Sequence, residues 1–425
     1  MKTEFTPQQL ADPDTAASEA ELRRCVRCGF CNATCPTQVL LGDERDSPRG
    51  RIYLIKDMLE NQRAPTAETV THIDRCLSCL ACVSTCPSGV NYTRLIDHAR
   101  VYIEQRYDRP LIDRARRRFL AWVMPNPTRF RLAMGLARLA KPFAPLFGKG
   151  PLRAMLALTS WRSARRAPSA EVYPSPKPPR ARVALLQGCA EPALRPEIRA
   201  ATLRLLNRMG VEVVLARDEV CCGSLSHHMG FEEDALAAAR RNVDIWSAQR
   251  DLDAIVVTVS GCGTTIKDYG WMLRNDPVYA ERAATVSAKA LDVSELIGRY
   301  GLPEISNPQA LTVAYHSACS LQHGQQIKDL PAHLLEKAGF TVRRPAEAHL
   351  CCGSAGTYNI LQPQIAGQLR DRKLANLDHL APDVIAAGNI GCLIQLNRKE
   401  IPVIHTVQLL DWATGGPNPL DTRNA

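Results

Sequence analysis

The sequence lacks long apolar runs and nucleotide-binding fingerprints. A membrane-spanning helix needs about 20 mainly apolar residues, and the two uncharged segments, 305–327 and 350–369, are rich in Gln, Ser, Asn and Gly. Residues 1–20 are acidic and lack an apolar core, so we expect no secretory signal. No G-x-G-x-x-G follows a predicted strand and no G-x4-G-K-S/T occurs, so we expect any flavin to be bound by another chain.

The size and charge of the chain indicate a multidomain protein with a basic surface. Its 425 residues suggest two or three domains. The formal net charge of +10 favours an acidic partner, an anionic substrate or an anionic membrane surface, although a soluble protein with a basic surface explains it equally well. We expect no nucleic-acid partner, because the cysteine chemistry described next accounts for the notable residues.

Cysteine is abundant, with sixteen residues in the chain. Without a secretory signal we expect a cytoplasmic protein, and disulfides rarely persist in that reducing compartment. So many cysteines in such a chain usually indicate metal binding.

Eight of the cysteines form two ferredoxin-type motifs, each of the form C-x2-C-x2-C-x3-C-P. This spacing is typical of [4Fe–4S] binding, and the fourth cysteine of each motif ligates the other cluster. The predicted ligands of the first cluster are Cys25, Cys28, Cys31 and Cys86, and those of the second are Cys76, Cys79, Cys82 and Cys35. Zinc is the alternative, but zinc sites usually show paired C-x2-C knuckles without a third close cysteine.

Two arginines lie between the motifs, in the sequence Pro48-Arg49-Gly50-Arg51. An arginine near a cluster would stabilise its reduced, more negative state. A packing or salt-bridge role is the alternative for both side chains.

The remaining chain divides by composition. We predict a helical domain with two clusters over 1–105, a basic helical segment over 106–161, a Pro-rich linker over 162–181, and two α/β domains over 182–300 and 301–415. Within the basic segment, residues 111–145 are a candidate docking face for an acidic partner or anionic lipid. Its characteristic residues are Arg114, Arg116, Arg117, Arg118, Phe119 and Trp122. A solvated helix packed on the cluster domain explains the same composition.

The two α/β domains are predicted to be copies of one another. Buried strands alternate with helices in both, which indicates parallel sheets. Four cysteines in the first copy recur in the second at a constant spacing of 130 residues. They are Cys189, Cys221, Cys222 and Cys262, matched by Cys319, Cys351, Cys352 and Cys392. This agreement indicates an internal duplication.

The cysteines of each copy are expected to converge, because the carboxyl ends of parallel strands lie at one edge of a sheet. The glycine after each cysteine pair allows a turn that other residues tolerate poorly. Four histidines near these cysteines are candidate ligands or proton relays, with a structural role as the alternative: His227, His228, His316 and His323.

These motifs resemble the cysteine-rich CCG domain of heterodisulfide reductase. The whole chain resembles the iron–sulfur subunits of bacterial glycolate oxidase. The similar stretches are RCVRCGFCNATCPT, LGDERDSPRGRIYLIK, RCLSCLACVSTCPSGV, SGCGTTIKDYG, LCCGSAGTY and NIGCLIQL.

The resemblance implies an electron-transfer subunit that is inactive alone. FAD-bearing partner subunits would oxidise glycolate to glyoxylate, and a quinone or another membrane acceptor would receive the electrons. A cytoplasmic location, peripheral on the inner face of the cell membrane, is also implied. The iron–sulfur subunit of a lactate or glycerol 3-phosphate dehydrogenase, a heterodisulfide-reductase-like enzyme and a zinc-stabilised scaffold are the alternatives.

The chain departs from the heterodisulfide reductase pattern, which ends in C-x2-C and has five cysteines. Each copy here has four, since Cys262 is followed by Gly-Thr-Thr and Cys392 by Leu-Ile-Gln. A further iron–sulfur cluster, a zinc ion or uncoordinated thiols all fit these four cysteines.

Overall fold

The computed structural model describes residues 1–142, 156, 171–175 and 178–421. Most of the predicted linker, 162–181, and the end of the predicted basic segment, 106–161, lie outside the described residues, as does the end of the candidate docking face at 143–145. Within the described ranges, no helix has both the length and the apolar character required to cross a bilayer.

The chain begins with a helical domain. Its helices are α1 (Pro7–Leu10), α2 (Pro13–Arg24), α3 (Phe30–Ala33), α4 (Pro36–Leu41), α5 (Pro48–Glu60), α6 (Ala67–Asp74), α7 (Ala81–Thr85) and α8 (Tyr92–Arg106), with a 3-10 turn at Glu44–Asp46. Local sequence fixes several helix starts. The side chains of Asp12 and Ser47 accept hydrogen bonds from the first turns of α2 and α5, and a proline follows each of them.

The core of this domain surrounds the cysteine motifs. Leu22 of α2, Ile55 of α5, Ile73 of α6 and Leu95 of α8 are fully buried together. Cys25, Cys76 and Cys82 belong to the same core. These three cysteines are therefore shielded from water by the packing of the helices.

Two further helices, α9 (Leu111–Val123) and α10 (Pro127–Ala140), follow. Buried Arg117 of α9 donates to Asp74 Oδ2 of α6 at 2.6 Å and to Asp113 Oδ2 at 3.1 Å. Arg117 was predicted as part of the docking face, and that prediction is wrong, because the side chain points inward and anchors α9 to the cluster domain.

The first α/β repeat contains a five-stranded sheet. Its strands are β1 (Val172–Tyr173), β2 (Ala181–Leu185), β3 (Val211–Val214), β4 (Ala254–Val257) and β5 (Ala290–Asp292), in the order β1-β3-β2-β4-β5. Strands β2 to β5 pair in parallel, whereas β1 pairs antiparallel with β3 through Val172 and Val214. Strand β1 lies within the segment predicted as linker, where a two-residue edge strand leaves no periodic signal.

Helices of the first repeat cover this sheet. They are α11 (Glu191–Leu194), α12 (Glu197–Arg208), α13 (Ser224–His228), α14 (Glu232–Ser247), α15 (Ser260–Lys267), α16 (Tyr269–Met272), α17 (Ala280–Lys289) and α18 (Val293–Tyr300). The strands are short apolar runs with almost every residue buried, as expected for a parallel sheet covered on both faces.

The second repeat contains a four-stranded parallel sheet. Its strands are β6 (Thr312–His316), β7 (Thr341–Arg343), β8 (Val384–Ala387) and β9 (Val403–His405), in the order β7-β6-β8-β9. Its helices are α19 (Leu330–Lys337), α20 (Tyr358–Leu361), α21 (Pro363–Asp378), α22 (Ile390–Gln395) and α23 (Thr406–Ala413), with a π-helical turn at Ser320–Gly324. The predicted fold class, a helical two-cluster domain followed by duplicated α/β domains with parallel sheets, is confirmed.

The two repeats pack against each other through helices. Helix α12 of the first repeat contacts α23 of the second, and α18 contacts α19. Buried Asp411 joins them by ion pairs with Arg204 and Arg208. In both sheets the strand order reverses between the first strand, β2 or β6, and the third, β4 or β8. In such folds ligands bind at the carboxyl ends of the strands on either side of this point. Cys189 and Cys262 follow these strand ends in the first sheet, and Cys319 and Cys392 follow them in the second.

Candidate metal centres

The two ferredoxin-type motifs share one backbone course. Arg27 and Gly29 of the first motif have positive φ angles of 58° and 83°, and Ser78 and Leu80, at matching positions of the second, have 50° and 62°. A left-handed conformation costs a residue other than glycine roughly 1–2 kcal/mol. Its repetition at the same motif positions indicates binding loops that turn their thiols inward.

The cysteines of these motifs line two adjoining pockets. The first thiol pocket is lined by Cys25, Cys28, Cys31, Cys82 and Cys86. The second thiol pocket is lined by Cys35, Cys76, Cys79 and Cys82. The last cysteine of each motif thus lies with the first three of the other motif, and Cys82 borders both pockets. Each pocket thus contains the four cysteines of one predicted ligand set, which fits the binding of a [4Fe–4S] cluster.

Five of the eight pocket cysteines are buried, whereas Cys28 is exposed and Cys31 and Cys86 are partly buried. Burial, and then the charge of Cys25, raise the pKa of the Cys31 thiol to about 11. Burial also raises the pKa values of Cys79 and Cys82 well above the ordinary range of a thiol. Metal ligands must be thiolates, and a bound metal would compensate for the burial of their negative charge.

One buried cation lies beside the second thiol pocket. Arg51 is 1% exposed, and its Nη1 lies 3.8 Å from Cys35 Sγ. The same guanidinium donates to His72 O at 2.7 Å and to Asp46 Oδ1 at 3.3 Å. Burial lowers the pKa of Arg51, but the charges of Cys76, Tyr92, Cys35 and Asp46 together outweigh that effect and hold the pKa above its usual value. The sequence analysis treated a salt-bridge role and a position near a cluster as alternatives. Arg51 combines the two, because it contacts both Asp46 and Cys35.

Arg49, the other arginine of that stretch, lies beside the first thiol pocket and is 38% exposed. Its Nε donates to Glu44 Oε1 at 2.7 Å. Solvent therefore screens its charge more effectively than that of Arg51.

The cysteines of each α/β repeat lie in pairs. In the first repeat Cys189 Sγ and Cys221 Sγ are 3.6 Å apart. In the second repeat Cys319 Sγ lies 3.7 Å from Cys351 Sγ. Cys352 Sγ and Cys392 Sγ are 3.5 Å apart. The duplicated loops thus present similar thiol pairs at the edge of each sheet.

The glycines after the adjacent cysteines are required by the backbone. Gly223 and Gly353 have φ angles of 84° and 88°. A Cβ at Gly353 would lie 2.5 Å from the Ala366 carbonyl oxygen, and one at Gly223 would lie 3.0 Å from that of Ala235. Only glycine allows the cysteine pair to approach α14 in the first repeat and α21 in the second this closely.

Two of the four candidate histidines, His227 and His323, have hydrogen-bond or ion-pair partners, whereas Nδ1 of His228 is buried without one. His227 Nε2 pairs with Asp97 Oδ2 at 3.0 Å, and His228 lies next to it. His323 Nδ1 contacts Ser84 Oγ of the helical domain at 2.7 Å, and its Nε2 contacts a backbone oxygen. These contacts support the structural role for His227 and His323.

His316 is different. It ends strand β6 and is 1% exposed, and both of its ring nitrogens are buried without a hydrogen-bond partner. Its ring nitrogen lies within 4.8 Å of Cys352 Sγ and Cys392 Sγ. Burial lowers the pKa of His316 to about 3, so the imidazole is neutral.

Cysteines of the second repeat pack against the cluster domain at the second thiol pocket. Leu77 and Cys79 pack in one cluster with Cys351 and Tyr358, and Cys319 adjoins it. After burial, the charge of Cys319 is the largest influence that raises the pKa of Cys79. Sequence reasoning missed this contact, as well as Tyr358 Oη, which donates to the Arg75 carbonyl at 3.0 Å.

Comparisons with known proteins agree with this architecture. Residues 24–90 match the model of a 4Fe-4S dicluster domain, and residues 183–267 and 313–397 both match that of a cysteine-rich domain, CCG. The chain is therefore an iron–sulfur protein with a two-cluster domain and a duplicated cysteine-rich domain.

Similar proteins identify the family more narrowly. The chain is 40% identical to the glycolate oxidase iron-sulfur subunit of Escherichia coli (strain K12), over 97% of this chain and 99% of that protein. It is 31% identical to the probable glycolate oxidase iron-sulfur subunit of Bacillus subtilis (strain 168), over 98% and 99%. The chain belongs to the family of glycolate oxidase iron–sulfur subunits, which are parts of an oxidoreductase.

More distant relatives cover less of the chain or share only the fold. Lactate utilization protein A of Bacillus licheniformis is 26% identical over 54% of this chain and 99% of that protein. The crystal structure of a hypothetical protein from Helicobacter pylori has a TM-score of 0.55 at 12% identity, covering 96% of this chain and 73% of that one.

Proposed function

We propose that the two thiol pockets each bind one [4Fe–4S] cluster. The ligands of the first cluster are Cys25, Cys28, Cys31 and Cys86, and those of the second are Cys76, Cys79, Cys82 and Cys35. The grouping of the thiols in the two pockets supports this assignment. When bound, such clusters transfer single electrons. The proposed domains are 1–105 for the clusters, 106–161 for the basic helices, 162–181 for the linker, and 182–300 and 301–415 for the repeats.

The function that follows is electron transfer within a glycolate oxidase complex. Oxidation of glycolate to glyoxylate releases two electrons and two protons, and FAD on partner subunits is suited to accept them together. The present chain then divides the pair into single-electron steps toward a quinone-type acceptor. The observation that carries this proposal is the adjacency of the two thiol pockets, which share Cys82.

The purified subunit with both clusters should not oxidise glycolate with any dye acceptor. The same preparation should support dye reduction after flavin-bearing partner subunits are added, because substrate oxidation requires their cofactor. Steady-state dye reduction, with each component omitted in turn, measures this. Glycolate-dependent dye reduction by the isolated, flavin-free subunit would contradict the proposal.

A lactate-oxidising complex is the second candidate, because lactate utilization protein A matches about half of the chain. Glycerol 3-phosphate is a third substrate to compare. The assembled complex should give a larger kcat/KM with glycolate than with either competitor. A heterodisulfide-reductase-like activity is disfavoured by the four-cysteine repeats, and a zinc scaffold would be colourless.

We propose that α9 and α10 hold the subunit peripherally on the cytoplasmic face of the membrane. One stripe of α9 is exposed and apolar, with Leu111 and Ile112 79% and 73% exposed and Trp122 also exposed. Leu132 and Leu136 form a similar exposed stripe on α10. The arginines beside these stripes are Arg114, Arg116, Arg118, Arg129 and Arg131. Aromatic and aliphatic residues flanked by arginine are typical of helices that lie in an anionic lipid surface.

Replacing Arg114, Arg116 and Arg118 with Gln should weaken binding to phosphatidylglycerol-containing vesicles by roughly 100-fold, since each arginine contributes about 1 kcal/mol near such a surface. Vesicle flotation at moderate salt measures this. The matched control replaces three other exposed arginines, Arg63, Arg217 and Arg370, with the same loss of charge. Equal loss in both triple variants would show that net charge alone matters, and no loss in either would exclude docking to lipid.

A further inference from the structure

The two cysteine-rich repeats share four cysteine positions but differ in the residues around them. His316 and Lys373 of the second repeat correspond, at the constant spacing of 130 residues, to Leu186 and Val243 of the first. All four side chains are buried, but the second repeat buries an imidazole and an ammonium where the first buries apolar groups. Such polar burial is unfavourable unless another group compensates for it.

The unpaired imidazole of His316 points to a missing partner. A buried ring nitrogen without a hydrogen bond destabilises the fold, because the nitrogen has lost its water without gaining another partner. No hydrogen-bond donor or acceptor in the described part of the chain satisfies either nitrogen. The neighbouring polar atoms are instead two thiol sulfurs, Cys352 Sγ and Cys392 Sγ, within 4.8 Å.

The spacing of these three atoms suits a single ion. Zn–S bonds of about 2.3 Å and Zn–N bonds of about 2.0 Å at tetrahedral angles separate ligand atoms by roughly 3.3–3.8 Å. The sulfurs of Cys352 and Cys392 are already 3.5 Å apart. Across the described residues, neither the first-repeat cysteines nor the ferredoxin-type cysteines form a group of three ligand atoms this close. Wider spacing between the ligand sulfurs is expected at the ferredoxin-type motifs, because four thiolates there would surround a cube of iron and sulfide and not a single ion.

We propose that the second repeat binds one tetrahedral, zinc-class ion through His316, Cys352 and Cys392, and that the first repeat does not. Mixed thiolate and imidazole ligands favour such an ion. Cys351 lies outside this close group of three ligand atoms, but it is adjacent to Cys352 in the same loop, and a shift of its thiol would supply the fourth ligand. The ammonium of buried Lys373, which donates to the Glu347 carbonyl at 2.7 Å, offsets the excess negative charge of three thiolates.

The proposed ion has a structural role. Zinc does not change its redox state, so it would carry no electrons. Instead it fixes the loop of Cys351 and Cys352, which packs against Leu77 and Cys79 beside the second thiol pocket. The first-repeat cysteines do not belong to this cluster of packed residues. This agrees with the apolar Leu186 and Val243 at the positions of His316 and Lys373.

Metal analysis and zinc K-edge X-ray absorption of the full-length, anaerobically purified protein test the proposal. We expect about one zinc per chain, with sulfur and nitrogen both in its first coordination shell. His316→Leu copies the first-repeat residue and should weaken zinc retention against a chelator at least tenfold, while the iron content of the ferredoxin-type motifs stays unchanged. His316→Cys should retain zinc with sulfur ligands alone, which separates loss of a ligand from misfolding.

Cys222→Ser with Cys262→Ser is the matched control, because it removes two thiols from the first repeat. This variant should keep its zinc and the nitrogen scattering. Zinc-free wild-type protein, sulfur-only coordination in the wild type, or equal zinc loss in the first-repeat variant would each overturn the proposal.

Discussion

Cys35→Ala should yield anaerobic protein with about four iron and four sulfide per chain, in place of about eight of each in the wild type. Although Cys35 belongs to the first motif, the loss should fall on the second cluster. The reason is geometric, because Cys35 lines the second thiol pocket with the three leading cysteines of the second motif. Iron and sulfide analysis measures the loss, and electron paramagnetic resonance of the reduced protein shows which cluster remains.

Double variants make this assignment decisive. Adding Cys76→Ala to Cys35→Ala removes two ligands of one cluster, so the spectrum should match that of the single variant. Adding Cys25→Ala instead should abolish both clusters. Cys86→Ala is the matched control, since it occupies the same motif position and should remove the first cluster. If Cys35→Ala and Cys25→Ala together still leave four iron, the two residues serve the same cluster and the cross-ligation is wrong.

The motifs and the fold class could be predicted from the sequence because each depends on local spacing. The constant spacing of the repeated cysteines predicted the duplication. The apolar runs at 182–187 and 254–259 predicted β2 and β4 to within two residues of their observed bounds. Strands β5 and β9, of three residues each, were not predicted. Strand β1 was missed because its two residues stand in Pro-rich sequence, where pairing with β3 alone makes them a strand.

The remainder of the site depends on contacts between distant segments. The sequence could not show that the second repeat, rather than the first, adjoins the second thiol pocket, because that depends on how whole domains pack. The same limit applies to Arg117. Its sequence neighbours are also arginines, and only the contact with Asp74, a residue distant in sequence, makes Arg117 a buried side chain. His316 was noted beside Cys319, but only folding brings it to Cys352 and Cys392.

Arg51→Gln should lower the midpoint potential of the second cluster by ~60–130 mV and leave that of the first nearly unchanged. A buried positive charge stabilises the reduced, more negative cluster. Across about 5–10 Å at an effective dielectric constant near 20, that charge contributes about 1.5–3 kcal/mol, and each tenfold change in a one-electron equilibrium corresponds to about 59 mV. Redox titration followed by electron paramagnetic resonance measures both potentials in one sample, so the first cluster is an internal reference.

Two variants separate charge from packing. Arg51→Lys keeps the positive charge and should recover most of the potential, even though the hydrogen bond to His72 O is altered. Arg49→Gln removes the charge beside the first thiol pocket, where partial exposure and the ion pair with Glu44 should limit the change to a smaller shift of the first cluster. An Arg51→Gln protein that retains both clusters at wild-type potentials would assign Arg51 to packing alone. A lowered second potential in Arg51→Gln would instead show that the native Arg51 raises the potential of the second site, which favours electron flow from the exposed first site to the buried second site.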